Sequence, residues 1–316
     1  MNLILSIIIV NWNTRDLLVE CLSAIADGIA PLSPAQVETI VVDNASTDDS
    51  VALVRKLFPW VRLLQNSTNI GFAGGNNQAL QQNQGRYCLL LNSDTVVSAG
   101  SLAIMVEFME QHPTAGAVGA KLLNPDGSFQ ASYAAFPTLW SEFCLLTGLA
   151  RWTIGQYAPS PPPYADEAAR LVDWVSGASL MVRRAALDQI GFMDEGYFMY
   201  SEETDLCWRL KQRGWQIWYV PDALIIHVGG ASTSQMALTN HTRLYQSKLR
   251  FFRKNYGLWQ ACCLGSLLLV FSGVKLCVWR VLGATELNKQ RKMIYAQKSL
   301  RERSLMRGCW SAATFR

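Results

Sequence analysis

Short unbroken apolar runs alternate with amphipathic stretches through the first third of the chain. Residues 7–10 read Ile-Ile-Ile-Val, the β-branched run that a strand covered on both faces requires. From about Thr14, apolar Leu17, Leu18, Cys21, Leu22 and Ile25 recur at helical spacing. Residues 38–42 form a second apolar strand ending on Asp43-Asn44, and Ser46 or Thr47 is placed to cap a helix reaching about Leu57. Residues 61–64 predict a third strand. A glycine-rich turn at 71–75 leads into a helix through Asn83, residues 87–91 form a fourth strand ending on Asn92-Ser93-Asp94, and a helix covers 101–111. This alternation predicts an α/β fold, a Rossmann-like and mostly parallel sheet with helices on both faces. Ligands of such sheets bind at the carboxyl ends of the strands, where Asn11, Asp43 and Asp94 all fall.

The pattern is less regular beyond residue 115. Residues 117–122 predict a strand, and Asn124-Pro125-Asp126-Gly127 a turn. Four prolines mark an extended loop at 157–166. A strand-like stretch at 174–182 surrounds Gly177, a helix is expected at 203–212, residues 216–227 read as one strand or two, and polar 232–235 reads as loop.

Composition narrows the class. Hydrophobic residues make up 50% and charged residues 16% of 316, which excludes disorder, collagen and a disulfide scaffold. The net charge of +4 conceals a split. Residues 243–316 hold fifteen Lys/Arg against only Glu286 and Glu302, a balance of +13, which leaves −9 on residues 1–242. An acidic body with a basic, partly apolar tail points to a membrane surface; no nucleic-acid-binding module is recognisable. The eight cysteines form no CxxC pair and read as small buried hydrophobes of a reducing compartment. The apolar N-terminus lacks a basic leader and a cleavage site, so it reads as a first strand rather than a signal peptide.

Several positions carry candidate chemistry. Asp43 can accept hydrogen bonds from a sugar hydroxyl or a base N–H, or can serve as a turn or cap residue. A dinucleotide site fails at the first turn, Asn11-Trp12-Asn13-Thr14, which has no GxGxxG. The stretch from Asn69 to Asn77 holds three glycines and could line a backbone nest or simply make a tight turn. Asn92-Ser93-Asp94 offers one carboxylate for a divalent cation that would neutralise phosphates. Glu202, Glu203 and Asp205 cluster at a helix start, where the dipole favours acids and Asp205 can pair with Arg209; a carboxylate beside Tyr197, Phe198 and Tyr200 could also be a general base. His227 closes an apolar strand just before two glycines, as a structural residue or as a ligand.

Taken together, SIIIVNWNT, VVDNASTDDSV, NIGFAGGNNQAL, LLLNSDT, LLNPDGSFQASYAAFPT, WVSGASLMVRRAALDQIGFMDEGYFMYSEETDLCWRLKQRGW and VPDALIIHVGGAS resemble glycosyltransferase family 2, above all its rhamnosyltransferase-like members. The seven stretches run in order over residues 6–232. The resemblance implies a GT-A fold and inverting transfer of a sugar from a nucleotide donor, L-rhamnose from dTDP-rhamnose being the expected one, to a cell-surface glycan or lipid-linked acceptor. By position it implies that Val10, Asn11 and Asp43 hold the nucleoside and that Gly71, Ala73 and Asn76 line the nucleotide-sugar cleft. Asn92, where many relatives have Asp, stands beside the donor. Asp94 and His227 would hold Mg2+ or Mn2+, and Trp174 and Gly177 would fall near the donor sugar and acceptor. The family's usual Glu-Asp reads Glu202-Glu203 here, which makes Glu203 the candidate base, with Glu202 and Asp205 as substitutes. A non-catalytic nucleotide-sugar-binding relative is the alternative.

The tail completes the picture. Residues 258–282 are apolar or small apart from Gln260, Lys275 and Arg280, with seventeen residues before Lys275. That length is borderline for a span, and a single span from a cytosolic body would export the basic end against the positive-inside tendency. Besides a helical arm buried against the body, the sequence fits an interfacial or re-entrant anchor, with Arg250, Arg253, Lys254 and the last residues on anionic lipid. The expected organisation is a GT-A domain at 1–242, with a nucleotide-binding half to about 115 and an acceptor half from about 116. A membrane-associating tail at 243–316 would attach it to the cytoplasmic face of the membrane.

Overall fold

The computed structural model describes residues 3–29, 32–156, 158–161, 168–230 and 237–309. Most of the loop expected at 157–166, and all of that expected at 232–235, lies outside the described residues. The strands are β1 (Leu5–Asn11), β2 (Val37–Asp43), β3 (Arg62–Gln65), β4 (Tyr87–Asn92), β5 (Thr95–Val97), β6 (Ala115–Leu123), β7 (Phe129–Gln130), β8 (Tyr133–Ala134), β9 (Arg170–Leu171), β10 (Trp174–Val175), β11 (Ser179–Arg183) and β12 (Gln216–His227). The helices are α1 (Arg15–Gly28), α2 (Ser50–Leu57), α3 (Gly71–Leu80), α4 (Ser101–Gln111), α5 (Leu139–Thr147), α6 (Ala150–Thr153), α7 (Arg184–Ile190), α8 (Glu202–Gln212), α9 (Ala237–Tyr256), α10 (Leu258–Thr285) and α11 (Lys289–Cys309). Two compact units divide them. The first comprises Met1–Phe136, Ile154–Phe198 and Glu202–Ser232, and the second Pro137–Thr153, Met199–Ser201 and Thr233–Arg316.

The first unit is built on one mixed sheet in the order β3-β2-β1-β4-β11-β6-β12-β5. The first four strands are parallel; β11 runs antiparallel to both β4 and β6, and β5 antiparallel to β12. The strands alternate between two cores. Ile7, Ile9, Val41, Leu89 and Leu91 pack against α1 and α4 residues such as Leu22, Ile25 and Met105. Ile8, Ile40, Val42 and Leu90 face the opposite core with Ala73, Leu80 and Leu206. Each such fully buried aliphatic side chain contributes about 1.5–3 kcal/mol, which is why these strands carry no polar face.

Several local expectations are corrected. The glycine-rich segment is not a turn before a helix: α3 begins at Gly71 and ends at Leu80, short of Asn83. Its glycines let the helix approach the sheet, since a Cβ on Gly75 would lie 3.0 Å from both methyls of Val10. Ser46 and Thr47 do not cap α2, which starts at Ser50 after a left-handed Asp49; the Ser46 hydroxyl instead accepts from Asn11 Nδ2 and the Asn13 N–H. The stretch 174–182 breaks at Gly177 into β10, which pairs with β8, and β11, which joins the main sheet. Residues 216–227 form one strand with a register shift between Val220 and Leu224, as Pro221 would impose. The cysteines divide: Cys21, Cys88, Cys144 and Cys207 are buried, but Cys262 and Cys277 are exposed, because their helix presents apolar residues outward.

The second unit is helical. α5 starts with a capping box between Thr138 and Ser141, and Glu142 accepts two 2.8 Å bonds from Lys248 on α9. α9 spans residue 242, where the sequence placed a boundary. α10 buries one stripe, Ala261, Leu264, Gly265, Leu268 and Ser272, while Trp259, Val270, Val274 and Val281 on its other faces are exposed. It is long and apolar enough to cross a membrane, with a mean hydropathy of 2.1 over an 18-residue window.

Candidate active site

The parallel register sets Asn11 directly beside Asp43 at the carboxyl ends of β1 and β2. Asn11 Nδ2 donates to Asp43 Oδ1 at 3.0 Å, and the Ser46 N–H donates to Asp43 Oδ2 at 2.9 Å. Both carboxylate oxygens are thus engaged, and the pair is buried. Val10 is half-buried beside them. Thr14 Oγ1 donates to Asn11 Oδ1 and lies 2.8 Å from Ser93 Oγ, which ties the β1 turn to Asn92-Ser93-Asp94 after β4. Asn13 and Ala45, in the turns after β1 and β2, have φ of 53° and 61°. Left-handed backbone at non-glycine positions such as Ala45 is costly and clusters at functional sites.

The strand-end turn meets His227 from the far side of the sheet. β12 pairs with β5 so that His227 faces Thr95, and the Val228 N–H donates to the Asp94 carbonyl at 3.0 Å. His227 Nε2 then lies 3.3 Å from Asp94 Oδ1 and 3.2 Å from Asn92 Nδ2. Sequence reasoning did not anticipate Gln130, whose side chain contacts His227 at both Nδ1 and the backbone carbonyl. It stands on a two-residue strand, too short for any periodicity to single out.

α3 forms a further part of this unit. Gly71 has φ of 84°, a Cβ on it would sit 2.5 Å from the Phe198 carbonyl, and the Phe72 N–H donates to that carbonyl at 2.7 Å. Only glycine fits there. Ala73 and Asn76 are buried within α3, with Asn76 Nδ2 donating to the Phe72 carbonyl. They shape the helix rather than present surface.

α8 opens on the acidic cluster, and its three acids occupy different environments. Asp205 is completely buried and accepts from Arg209 Nε at 2.8 Å, one turn away. Glu202 is buried, and among the described residues no hydrogen-bond partner reaches its Oε2. Glu203 is only partly buried; a Cβ on Gly177 would lie 3.6 Å from both Glu203 Cβ and Phe72 Cε1. Burial pushes the Glu203 carboxyl up to about 7. Burial first, and the neighbouring Glu203 charge second, raise Glu202 well above the carboxylate range. Tyr200 and Ser201, just before the helix, have φ of 73° and 64°, two consecutive left-handed non-glycine residues. Trp174, half-buried, is fixed by Nε1 donating to the Ala135 carbonyl at 3.0 Å.

The model of Glycosyl transferase family 2 matches residues 6–191, more than half of the chain. The chain belongs to glycosyltransferase family 2. An N-acetylglucosaminyl-diphospho-decaprenol L-rhamnosyltransferase of Mycobacterium tuberculosis is 31% identical to this transferase over 244 residues, 71% of this chain and 78% of the relative. Among solved structures, a mannosyltransferase from Pyrobaculum calidifontis in complex with GDP-Man and Mn2+ has a TM-score of 0.57 at 15% identity, covering 97% of this chain and 87% of its own. TarS of S. aureus has a TM-score of 0.53 at 17% identity, covering 96% and 90%. These similarities establish the GT-A-like fold of this glycosyltransferase.

The donor set of this transferase fits a divalent cation sparingly. Among the described residues no three His, Cys, Asp or Glu side chains converge. Asp94 and His227 do meet, and their 3.3 Å separation is close to the about 3 Å between adjacent ligands of an octahedral cation with bonds of about 2.1 Å. Two protein ligands with the remaining positions left to phosphate and water is the usual arrangement for Mg2+ at nucleotide sites.

Proposed function

We propose that this transferase moves L-rhamnose from dTDP-rhamnose to a hydroxyl of a lipid-linked sugar, with inversion at the anomeric carbon. The observation that carries the reading is Glu203: a partly accessible carboxylate against Gly177, with burial lifting it to about 7, where a general base works best near neutral pH. Asp205 is committed to Arg209, and Glu202 is the more deeply buried of the adjacent pair.

Glu203 takes the proton of the acceptor hydroxyl as that oxygen attacks the anomeric carbon. The new C–O bond forms opposite the C–O bond to the diphosphate, which breaks and leaves with its electron pair, so one displacement inverts the centre. Val10 and the Asn11–Asp43 pair form the nucleoside end, Gly71, Ala73 and Asn76 build the α3 wall, and Asn92, Trp174 and Gly177 border the sugars. Asp94 and His227 would hold Mg2+ or Mn2+, which when bound supplies Lewis-acid stabilisation of the departing diphosphate.

The sugar and acceptor rest on the mycobacterial relative, whose name specifies L-rhamnosyl transfer to N-acetylglucosaminyl-diphospho-decaprenol. Attachment to the cytoplasmic face of a membrane is supported by α10, which exposes Trp259, Val270, Val274 and Val281 besides its buried stripe, and by the basic residues on and around it. The test is dTDP release from dTDP-rhamnose in the presence of Mn2+ and a polyprenyl-diphospho-N-acetylglucosamine acceptor, with the product's anomeric configuration read by NMR. Retained configuration, or no release with any nucleotide sugar, rejects the reading.

A further inference from the structure

We infer that Gln130 is a positioning residue that fixes the tautomer of His227 and so aims the Nε2 lone pair at the cation site. The inference rests on the reading of His227 as the nitrogen ligand of that cation.

Backbone carbonyls, which can only accept, fix the orientation of the two amides around His227. Gln130 makes two contacts through one amide atom, to the His227 carbonyl at 3.0 Å and to Asn124 Oδ1 at 2.9 Å. The His227 carbonyl can only accept, so that amide atom is the NH2 group. Asn124 is oriented in the same way, because its own NH2 points at the Phe129 carbonyl and at Ser128 Oγ. With both amides fixed, Gln130 Oε1 is the atom 2.6 Å from His227 Nδ1. An amide oxygen cannot donate, so Nδ1 carries the proton. In the neutral ring Nε2 is then a bare lone pair.

That lone pair faces Asn92 Nδ2 at 3.2 Å and Asp94 Oδ1 at 3.3 Å. Asn92 can donate to it. Asp94 Oδ1 cannot donate as a carboxylate, so a ring nitrogen and an oxygen, both acceptors, stand side by side. This is a pair a cation joins. The fold supplies Gln130 to this place through the Asn124–Gly127 turn, closed by the Gly127 N–H donating to the Asn124 carbonyl at 2.9 Å. The turn returns β7 along β6 with Gln130 opposite Leu122, and β6 neighbours the end of β12. Gly229 has φ of 72°, and a Cβ there would lie 3.6 Å from Gln130 Nε2, so the chain after His227 folds over the same amide.

The test uses the full chain without metal at about pH 8, above the ordinary imidazole range. With only three histidines, 15N-imidazole NMR resolves His227, and His227→Ala assigns it. The wild type is expected to show the Nδ1–H form. Gln130→Leu is expected to move His227 toward Nε2–H and to weaken Mn2+ binding, titrated calorimetrically with dTDP present, about 10- to 100-fold. Gln130→Glu keeps an acceptor on Nδ1, and is expected to keep the tautomer and bind Mn2+ within a few fold of wild type. A purely structural role would let both variants fail alike. An Nε2–H wild type, or a Gln130→Leu protein that binds Mn2+ as well as wild type does, overturns the inference. A wild type that takes up no Mn2+ with dTDP instead removes the cation reading beneath it.

Discussion

Arg209 and Asp205 are paired at 2.8 Å, one turn apart on α8, with Asp205 completely buried and the Arg209 guanidinium also donating to the Ile190 and Phe192 carbonyls. This separates two acids that sequence alone leaves as substitutes for each other. Asp205→Asn leaves a largely buried guanidinium uncompensated and is expected to cost on the order of 3 kcal/mol of stability in denaturant unfolding. Glu203→Gln removes a carboxylate whose charge burial disfavours and is expected to unfold no earlier than wild type at neutral pH, yet to lower kcat at least ~100-fold with little change in donor affinity. Near-normal turnover in Glu203→Gln removes that residue from the role of base.

As the proposed base, the same carboxyl is expected to couple activity and stability to pH in opposite directions. Glu203 is lifted from 4.5 to about 7 in the folded protein. The folded state therefore holds a proton that the unfolded chain releases at lower pH. The stability this contributes is complete below about 4.5 and is lost as pH rises through about 7. A base must be deprotonated, so kcat/KM is expected to climb across that interval. In Glu203→Gln the climb should vanish and the fall in melting temperature should shrink, with Glu202 keeping part of it. A wild-type profile that is flat or falling between pH 5 and 7 contradicts the assignment.

Asp94 supplies the only carboxylate in Asn92-Ser93-Asp94. Asp94→Ala is expected to abolish the Mn2+ dependence of dTDP-rhamnose binding, measured by calorimetry with and without the metal. Retained metal-dependent binding places the cation elsewhere.

Much of this architecture is legible in the sequence because its strands are buried on both faces. Ile7 to Val10 and Leu89 to Leu91 have no polar alternation, and Asn11, Asp43 and Asp94 mark where those runs end. The acids of α8 are visible as a cluster, but their separation is not, since it depends on which side chain faces Arg209 and which faces Gly177. Ser46 reads locally as a cap, and only the register of β1 against β2 turns it toward Asn11. The glycines at 71–75 read as a tight turn or a nest because their close approach to Val10 and Phe198 is a long-range contact. α5 and α6 offer too short a pattern to be recognised, and α5 is tied to α9 in the second unit through Glu142 and Lys248.

Exposed Val270, Val274 and Val281 share α10 with a narrow buried stripe. The protein is expected to float with vesicles containing anionic lipid and to be released partly by raised salt, as basic contacts to headgroups are screened. Val270→Asp combined with Val274→Asp should abolish flotation without lowering the melting temperature, because neither side chain is buried. A wild type that remains in the soluble fraction at physiological salt refutes attachment.

The central claim, a metal-assisted nucleotide-sugar site at the strand ends, is tested most directly by a thermal-shift panel. The ligands are dTDP-rhamnose, UDP-glucose, UDP-galactose, GDP-mannose and NAD+, each with and without Mn2+. A ligand at 100 times its Kd adds about 2.7 kcal/mol to stability, enough to move the transition visibly. The expected result is a shift with dTDP-rhamnose that requires Mn2+. A shift with NAD+ alone, or none with any nucleotide sugar, would contradict the account.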